Sequence, residues 1–317
     1  MLRISIFIIL SLLSFGAYSQ LLPVEDNQEL LRSENVKRVS TQYSSSEGEE
    51  AQLIFQKEYD ASGKILKKYQ LSLWDAVSYS HTTTYSYNEQ GLLADETTIQ
   101  KILNLSKRDE EFIETFGDKP LHEKIYYYYN AEGKLSKKAV FTYSGDEPEE
   151  DATPDQTIEY SYKGDLVDRE ESKSSDERFF NKDYYIEFKY DSANNLVQKS
   201  MAYGKDDELQ RDTFYKYNQL GQLVEEQVID PSIPHNNKHL QYKYDENGRR
   251  SALLTFNNEE AVFELETSFH YDDHGNLVSG DRDVTFEYDQ NGLITTESWI
   301  DPLTDQEYTF TNTYVFH

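Results

Sequence analysis

Four histidines fall in two pairs spaced by four, His235 with His239 and His270 with His274. On a helix that spacing puts two imidazoles on one face, the geometry that holds zinc. Neither pair has a helix to sit on. Pro231 and Pro234 place the first in a loop running into a strand, and the second straddles a turn. Asp146, Glu147, Glu149, Glu150, Asp151 and Asp155 offer oxygen ligands for calcium. Their spacing follows no calcium loop, so a solvated charge run is the better reading. Trp74 and Trp299 are rare and near loops, which makes them the candidates for stacking on a ligand ring such as a sugar.

Other chemistry finds little support. The chain has no cysteine, so thiol catalysis, Cys-type metal sites and disulfides are excluded. There is no Gly-x-Ser-x-Gly, no His-Glu-x-x-His and no phosphate-cradling glycine loop. Carboxylate pairs carry no signal in a chain with 59 Asp and Glu against 31 Lys and Arg. The expectation is a protein that is not an enzyme, with no catalytic, metal or cofactor site. A net charge of -28 argues against nucleic acid, since phosphate binding needs clustered Lys and Arg.

The elements that would carry any site are repeats. Tyr59, Tyr87, Tyr129, Tyr190, Tyr217, Tyr244, Tyr271 and Tyr288 are each followed directly by Asp or Asn. Four residues after the Tyr comes glycine: Gly63, Gly91, Gly133, Gly221, Gly248, Gly275 and Gly292. Asn194 replaces it once, and Asn is the best non-glycine resident of left-handed backbone. A shortened copy is Tyr162-Lys163-Gly164. Asp or Asn starts a type I turn, and the glycine takes the positive-φ position of a three-residue hairpin with a bulge. In that geometry Tyr59 stands opposite Ile65, and the residue six after each Tyr is Leu or Ile except at Arg250.

Ahead of most turns an aromatic lies two positions before the Tyr, as in Phe188-Lys189-Tyr190, which is the period of one strand face. The fold class is therefore all-β. Tandem antiparallel hairpins form a long, twisted or curved meander sheet, open or partly closed, of about twenty strands. One helical insertion is expected within Leu103 to His122, from Ser106, Asp109, Phe112, Phe116 and Gly117. Tyr308 to Phe316 reads as a closing strand.

The unit [Tyr/Phe]-x-Tyr-[Asp/Asn]-x-x-Gly-x-Leu resembles the YD repeats of the RHS family, from about Phe55 to Ile294. That resemblance implies hairpins that build spiralling sheets, and a shell in large members. The chain is too short for a closed shell of that kind. Asp230-Pro231-Ser232 and Asp301-Pro302-Leu303 do not match the family's self-cleaving motif. Neither toxin delivery nor self-cleavage is therefore implied.

Met1 to Ser19 reads as a signal peptide: Arg3, an apolar run from Ile4 to Phe15, then Ala17-Tyr18-Ser19 before a cleavage ahead of Gln20. Residues 20–35 are expected to be a loose leader and 36–317 a single repeat array with no transmembrane helix in the mature chain. These features point to a noncatalytic scaffold or binding protein of the periplasm, cell surface or exterior. Its partner is unknown, a cell-envelope protein or glycan being the kind that fits. An outer-membrane β-barrel is the alternative, although Lys57, Lys67, Glu225 and Gln227 and a mean hydropathy of -0.80 sit poorly with a lipid-facing band. An exported glycan hydrolase would need two carboxylates converging in a cleft.

Overall fold

The structure, a computed structural model, describes residues 28–45, 51–73, 77–105, 120–145, 152–175, 183–203, 209–280, 284–300 and 306–317. The expected signal peptide, Trp74 and the acidic run Asp146 to Asp151 lie outside them. So do Ser106 to Lys119, the heart of the expected helical insertion. Its margins are strand instead, since Leu103 belongs to one β-strand and Leu121 and His122 to the next.

One helix, α1 (Gln28–Ser33), precedes the strands. It falls within the segment expected to be a loose leader. The strands are β1 (Val36–Ser45), β2 (Gln52–Tyr59), β3 (Ile65–Leu73), β4 (Val77–Tyr87), β5 (Leu93–Leu105), β6 (Leu121–Tyr129) and β7 (Leu135–Ser144). Next come β8 (Gln156–Lys163), β9 (Leu166–Ser174), β10 (Tyr184–Tyr190), β11 (Leu196–Tyr203), β12 (Leu209–Tyr217), β13 (Leu223–Ile229) and β14 (Lys238–Tyr244). The last are β15 (Arg250–Asn257), β16 (Val262–Ser268), β17 (His270–Tyr271), β18 (Leu277–Ser279), β19 (Thr285–Tyr288), β20 (Ile294–Ile300) and β21 (Glu307–Phe316).

These twenty-one strands form one antiparallel sheet. The last strand returns to the first: β21 pairs with β1 from Val36 opposite Phe316 to Ser45 opposite Tyr308. The meander thus curls into a nearly closed, barrel-like sheet, and the expected closing strand does close it. Its weakest stretch is β17 to β19, where the ladders are one or two residue pairs long.

Local chemistry sets the motif hairpins. In the first, the Asp60 N–H donates to the Lys64 carbonyl and the Gly63 N–H to the Asp60 carbonyl. The Asp60 side-chain Oδ1 accepts the N–H groups of Ser62 and Lys64 at 2.8 and 2.9 Å. The same pattern recurs at Asn88, Asn130, Asp191, Asn218, Asp245, Asp272 and Asp289. The motif glycines lie at φ between +76° and +89°, and Asn194 at +67°. A register shift follows, so Tyr59 stands opposite Ile65 and Tyr217 opposite Leu223. At the exception, Arg250 stands opposite Tyr244 and lays its guanidinium 4.5 Å from the centre of the Tyr242 ring.

One face of the sheet is covered and the other wet. Val39, Thr41, Phe55, Lys57 and Tyr59 are buried on the face that carries the motif tyrosines. Glu159, Glu187, Lys189, Lys216 and Lys243, on the other face, are exposed. In a sheet curled on itself the covered face is the inner one. Helix α1 docks on that face at the turn end, where Leu31 joins Val36, Val39, Tyr59 and Leu293 in a small core. Asx-turn geometry with open space around it makes Gly221 a clean test, because a Cβ there would meet nothing within 4 Å. Gly221→Val should cost about 2 kcal/mol from positive-φ strain alone, read as a lower denaturation midpoint. Gly221→Asn should cost less. Equal losses for the two would reject the turn assignment.

Candidate functional site

The inner face at the turn end is the most ordered chemical feature of the molecule. Neighbouring hairpins pair only near their loop ends. The β7–β8 ladder, for instance, stops at Lys137 opposite Glu159. Beyond that point backbone carbonyls are left facing a gap, and a buried carbonyl without a donor costs about 1–3 kcal/mol. The motif tyrosine fills the gap. Tyr162 donates its hydroxyl to the Leu135 carbonyl at 2.8 Å.

The bond repeats around the sheet. Tyr87 reaches the carbonyl of Ile65, Tyr129 that of Leu93, Tyr190 that of Val167 and Tyr217 that of Leu196. Tyr244 reaches Leu223, Tyr271 reaches Arg250, Tyr288 reaches Leu277 and Tyr314 reaches Ile294. All nine bonds lie between 2.6 and 3.0 Å. The acceptor is in almost every case the Leu or Ile that stands opposite the previous motif tyrosine. Each tyrosine thus packs within its own hairpin and bonds to the one before it. Burial raises the phenol pKa of Tyr87, Tyr129, Tyr190, Tyr217, Tyr271 and Tyr314, and that of Tyr288 to about 12. Sequence reading explained these tyrosines by packing and missed the hydroxyl. The signal available to it was the choice of Tyr over Phe at every motif position.

A second row lies one step inward. Lys68, Glu96, Lys138, Glu170, Lys199 and Glu226 occupy equivalent positions on the return strands, with alternating sign. The carboxylates are met by tyrosine hydroxyls. Tyr184 donates to Glu170 at 2.9 Å and Tyr242 to Glu226 at 3.1 Å. Tyr127 bonds Glu96. Burial, with the neighbouring carboxylate, pushes the Tyr242 phenol up to about 12. The Lys138 ammonium lies 5.4 Å from the Tyr127 ring centre and 5.6 Å from that of Tyr160, within cation–π range.

Glu297 occupies the same position and breaks the pattern. Its cross-strand neighbours are Phe286 and Phe310, which have no hydroxyl to give. The side chain is 0% exposed, and neither carboxyl oxygen has a hydrogen-bond partner among the described residues. Burial alone raises its pKa to about 8, so it is mostly protonated at neutral pH. Nearby, Thr41 donates to Asn312 at 2.6 Å, and Asn312 to the Ile294 carbonyl at 3.1 Å, across the closing seam.

The sequence candidates are distributed as follows. Trp299 is half-buried on the inner face, stacked on Tyr308 with ring centres 4.9 Å apart. His235 lies in the 3-10 turn Pro234–Asn236, and His239 lies on β14, bonding Glu225 at 3.0 Å. The structure does not bring the two together at a metal site. No cluster of three or more metal-capable side chains occurs among the described residues. Asp155 caps the neighbouring ladder, accepting the Thr142 N–H at 2.6 Å. An inward carboxylate pair that the sequence did not mark is Glu96 with Glu123, diagonal neighbours on β5 and β6. Burial raises both, and the charge of Glu96 adds to the shift at Glu123. No helix among the described residues is long and apolar enough to cross a membrane.

Two measurements probe these rows. Tyr217→Phe should cost about 1–2 kcal/mol in chemical denaturation, by leaving the Leu196 carbonyl unpaired; an unchanged midpoint would show the bond to be idle. Glu297 has a folded pKa above its unfolded value of 4.5, so its contribution to stability is full below pH 4.5 and is lost as pH rises towards about 8. The stability advantage of Glu297→Gln over the parent should therefore grow between pH 4.5 and 8. A pH-independent difference would contradict the burial of an unpaired acid.

Comparison with known proteins fits this architecture. The family described as Teneurin YD-shell matches residues 108–313, well over half of the chain. No curated protein matches the chain. A solved Tc holotoxin pore from Photorhabdus luminescens aligns at 15% identity over 85% of this chain and 13% of its own, with a TM-score of 0.39. The TcdB2–TccC3 complex aligns at 15% identity over 86% of this chain and 15% of its own, with a TM-score of 0.40. A porin-like protein from Bacteroides uniformis aligns at 11% identity over 88% of this chain and 98% of its own, with a TM-score of 0.42. This chain spans less than a sixth of the Tc structures it aligns with. The repeat turns, the tyrosine row and the matched span place the chain in the YD-shell family of YD-repeat proteins.

Proposed function

We propose that this YD-repeat protein is a noncatalytic scaffold or binding protein that works outside the cytoplasm, in the periplasm or at the cell surface. The observation that carries the reading is the use made of the conspicuous residues. Motif Asp and Asn hold turns, motif Tyr hold hairpin to hairpin, and inner charges are met by tyrosine hydroxyls and aromatic rings. What is left for recognition is the outer surface and the loops, which is where a rigid scaffold presents specificity. The export signal expected at Met1 to Ser19 supplies the location.

A membrane-barrel reading is less well supported. Lipid-facing strands need a continuous apolar band on the outside. The outward positions here include Lys67, Lys124, Glu159, Glu187, Lys216 and Lys243. Among the described residues a hydrolase reading rests on Glu96 and Glu123, and the Glu96 carboxyl is already engaged by Tyr127.

Fractionation of cells expressing a tagged chain, with surface protease treatment, tests the proposal. Release into aqueous buffer without detergent is the expected result. Extraction by detergent alone, resistant to salt, would replace it with the membrane barrel. Glycosidase activity lost in both Glu96→Gln and Glu123→Gln would replace it with an enzyme.

A further inference from the structure

Among the described residues the ring of strands has a notch on one side. β16 pairs with β15 from Asn257 opposite Val262 to Ala252 opposite Ser268. Among the described residues no strand pairs with its other edge. The chain continues past Phe269 into β17, and only there does β18 join it, with His270 opposite Ser279 and Tyr271 opposite Leu277. At the end of β18 the Gly280 N–H donates to the Val284 carbonyl, and β19 pairs back with β18 through Thr285 opposite Ser279. On that register Gly280 lies level with Phe269. Val262 to Glu266 run beyond it for roughly 17 Å at the usual rise of a strand.

Unpaired edge strands invite a further strand. This one has a definite character. Leu265 is 62% exposed and Val262 45% exposed. Phe263 packs edge-on to Phe256, at 5.1 Å between ring centres, which stiffens the strand from behind. Glu264 and Glu266 are exposed and held toward β15 by Asn257 and Thr255. The edge thus offers backbone hydrogen-bonding groups, apolar side chains and two fixed negative charges.

We infer that the free edge of β16 is a docking site for an extended polypeptide segment that alternates apolar residues with Lys or Arg, added as a further antiparallel or parallel strand. Backbone bonds give affinity in this mode, and alternate side chains give selectivity. Charge complementarity decides the occupant. A second copy would bring Glu264 and Glu266 against their own kind, in a chain of net charge -28. A basic segment meets them with opposite charge.

Hydrogen exchange read by mass spectrometry tests this on the purified protein. The probe is a short peptide of alternating Val and Lys. Two controls have the same length: alternating Val and Glu, and alternating Pro and Lys, which keeps the charge while every second residue lacks an N–H and the fixed φ of Pro disfavours an extended strand. The Val/Lys peptide should protect the amides of residues 262–266, and neither control should. In the double variant Glu264→Lys with Glu266→Lys, on an exposed edge where folding should survive and circular dichroism can confirm it, Val/Lys binding should weaken about tenfold and Val/Glu binding should appear. Protection by Pro/Lys equal to that by Val/Lys, or protection elsewhere on the sheet, would overturn strand addition. Protection of 262–266 that rises with protein concentration without any peptide would make a second copy the occupant and overturn the basic segment.

Discussion

The hydroxyl-to-carbonyl bond between successive hairpins is the interaction on which the rest of this structure depends. A two-stranded hairpin is marginal in water by itself. Here each one is tied to its neighbour twice, by a backbone ladder near the loop end and by a tyrosine near the turn end, as Tyr217 ties to Leu196. The ladders are often only four residues long, as between β9 and β10 and between β13 and β14. Without the tyrosines the turn ends would splay and leave carbonyls dry and unpaired. A net stabilisation of about 1 kcal/mol per bond is small, but it recurs around the whole sheet.

That arrangement also explains how charged residues tolerate the inner face. Lys68, Glu96, Lys138, Glu170, Lys199 and Glu226 alternate in sign from hairpin to hairpin, and hydroxyls or aromatic rings complete their surroundings; off the row, Lys57 faces Lys68 and Glu123 lies diagonal to Glu96. The row is stable because the position two before each motif tyrosine is so often another tyrosine. Where that residue is Phe286, with Phe310 on the other side, the carboxyl of Glu297 loses its donor and keeps its proton instead. Ile125, Ile186 and Leu240 hold the place of Phe310 beside Glu96, Glu170 and Glu226, so what sets Glu297 apart is that no tyrosine hydroxyl bonds it among the described residues. Glu297 sits on β20, one strand from the seam that joins the two ends of the chain.

Closure of the sheet and its imperfection decide where strand edges lie. Pairing of β1 with β21 removes the edges that an open meander would expose at both ends. Among the described residues, the shortness of β17 to β19 leaves one edge unpaired, on β16. The outer face elsewhere carries exposed charges, as at Glu159, Glu187 and Lys216.

The turns, the register and the face of each strand were legible in the sequence because they are decided within nine or so residues. Asp60 binds the N–H groups of Ser62 and Lys64, its immediate neighbours, and the bulge that follows fixes Tyr59 opposite Ile65. Family resemblance rested on the same short units, and the YD-shell match bears it out. What only the tertiary structure decided involves partners far apart in the chain. Thr41 meets Asn312, 271 residues away, and nothing near either residue announces it. The destination of each tyrosine hydroxyl lies in the previous hairpin, the isolation of Glu297 depends on strands to both sides, and the free edge of β16 depends on how soon a later hairpin turns back. A local hydrogen bond is written in the spacing of a few residues. A contact across the sheet depends on how all the hairpins curl together, and no single unit of the sequence specifies that curl.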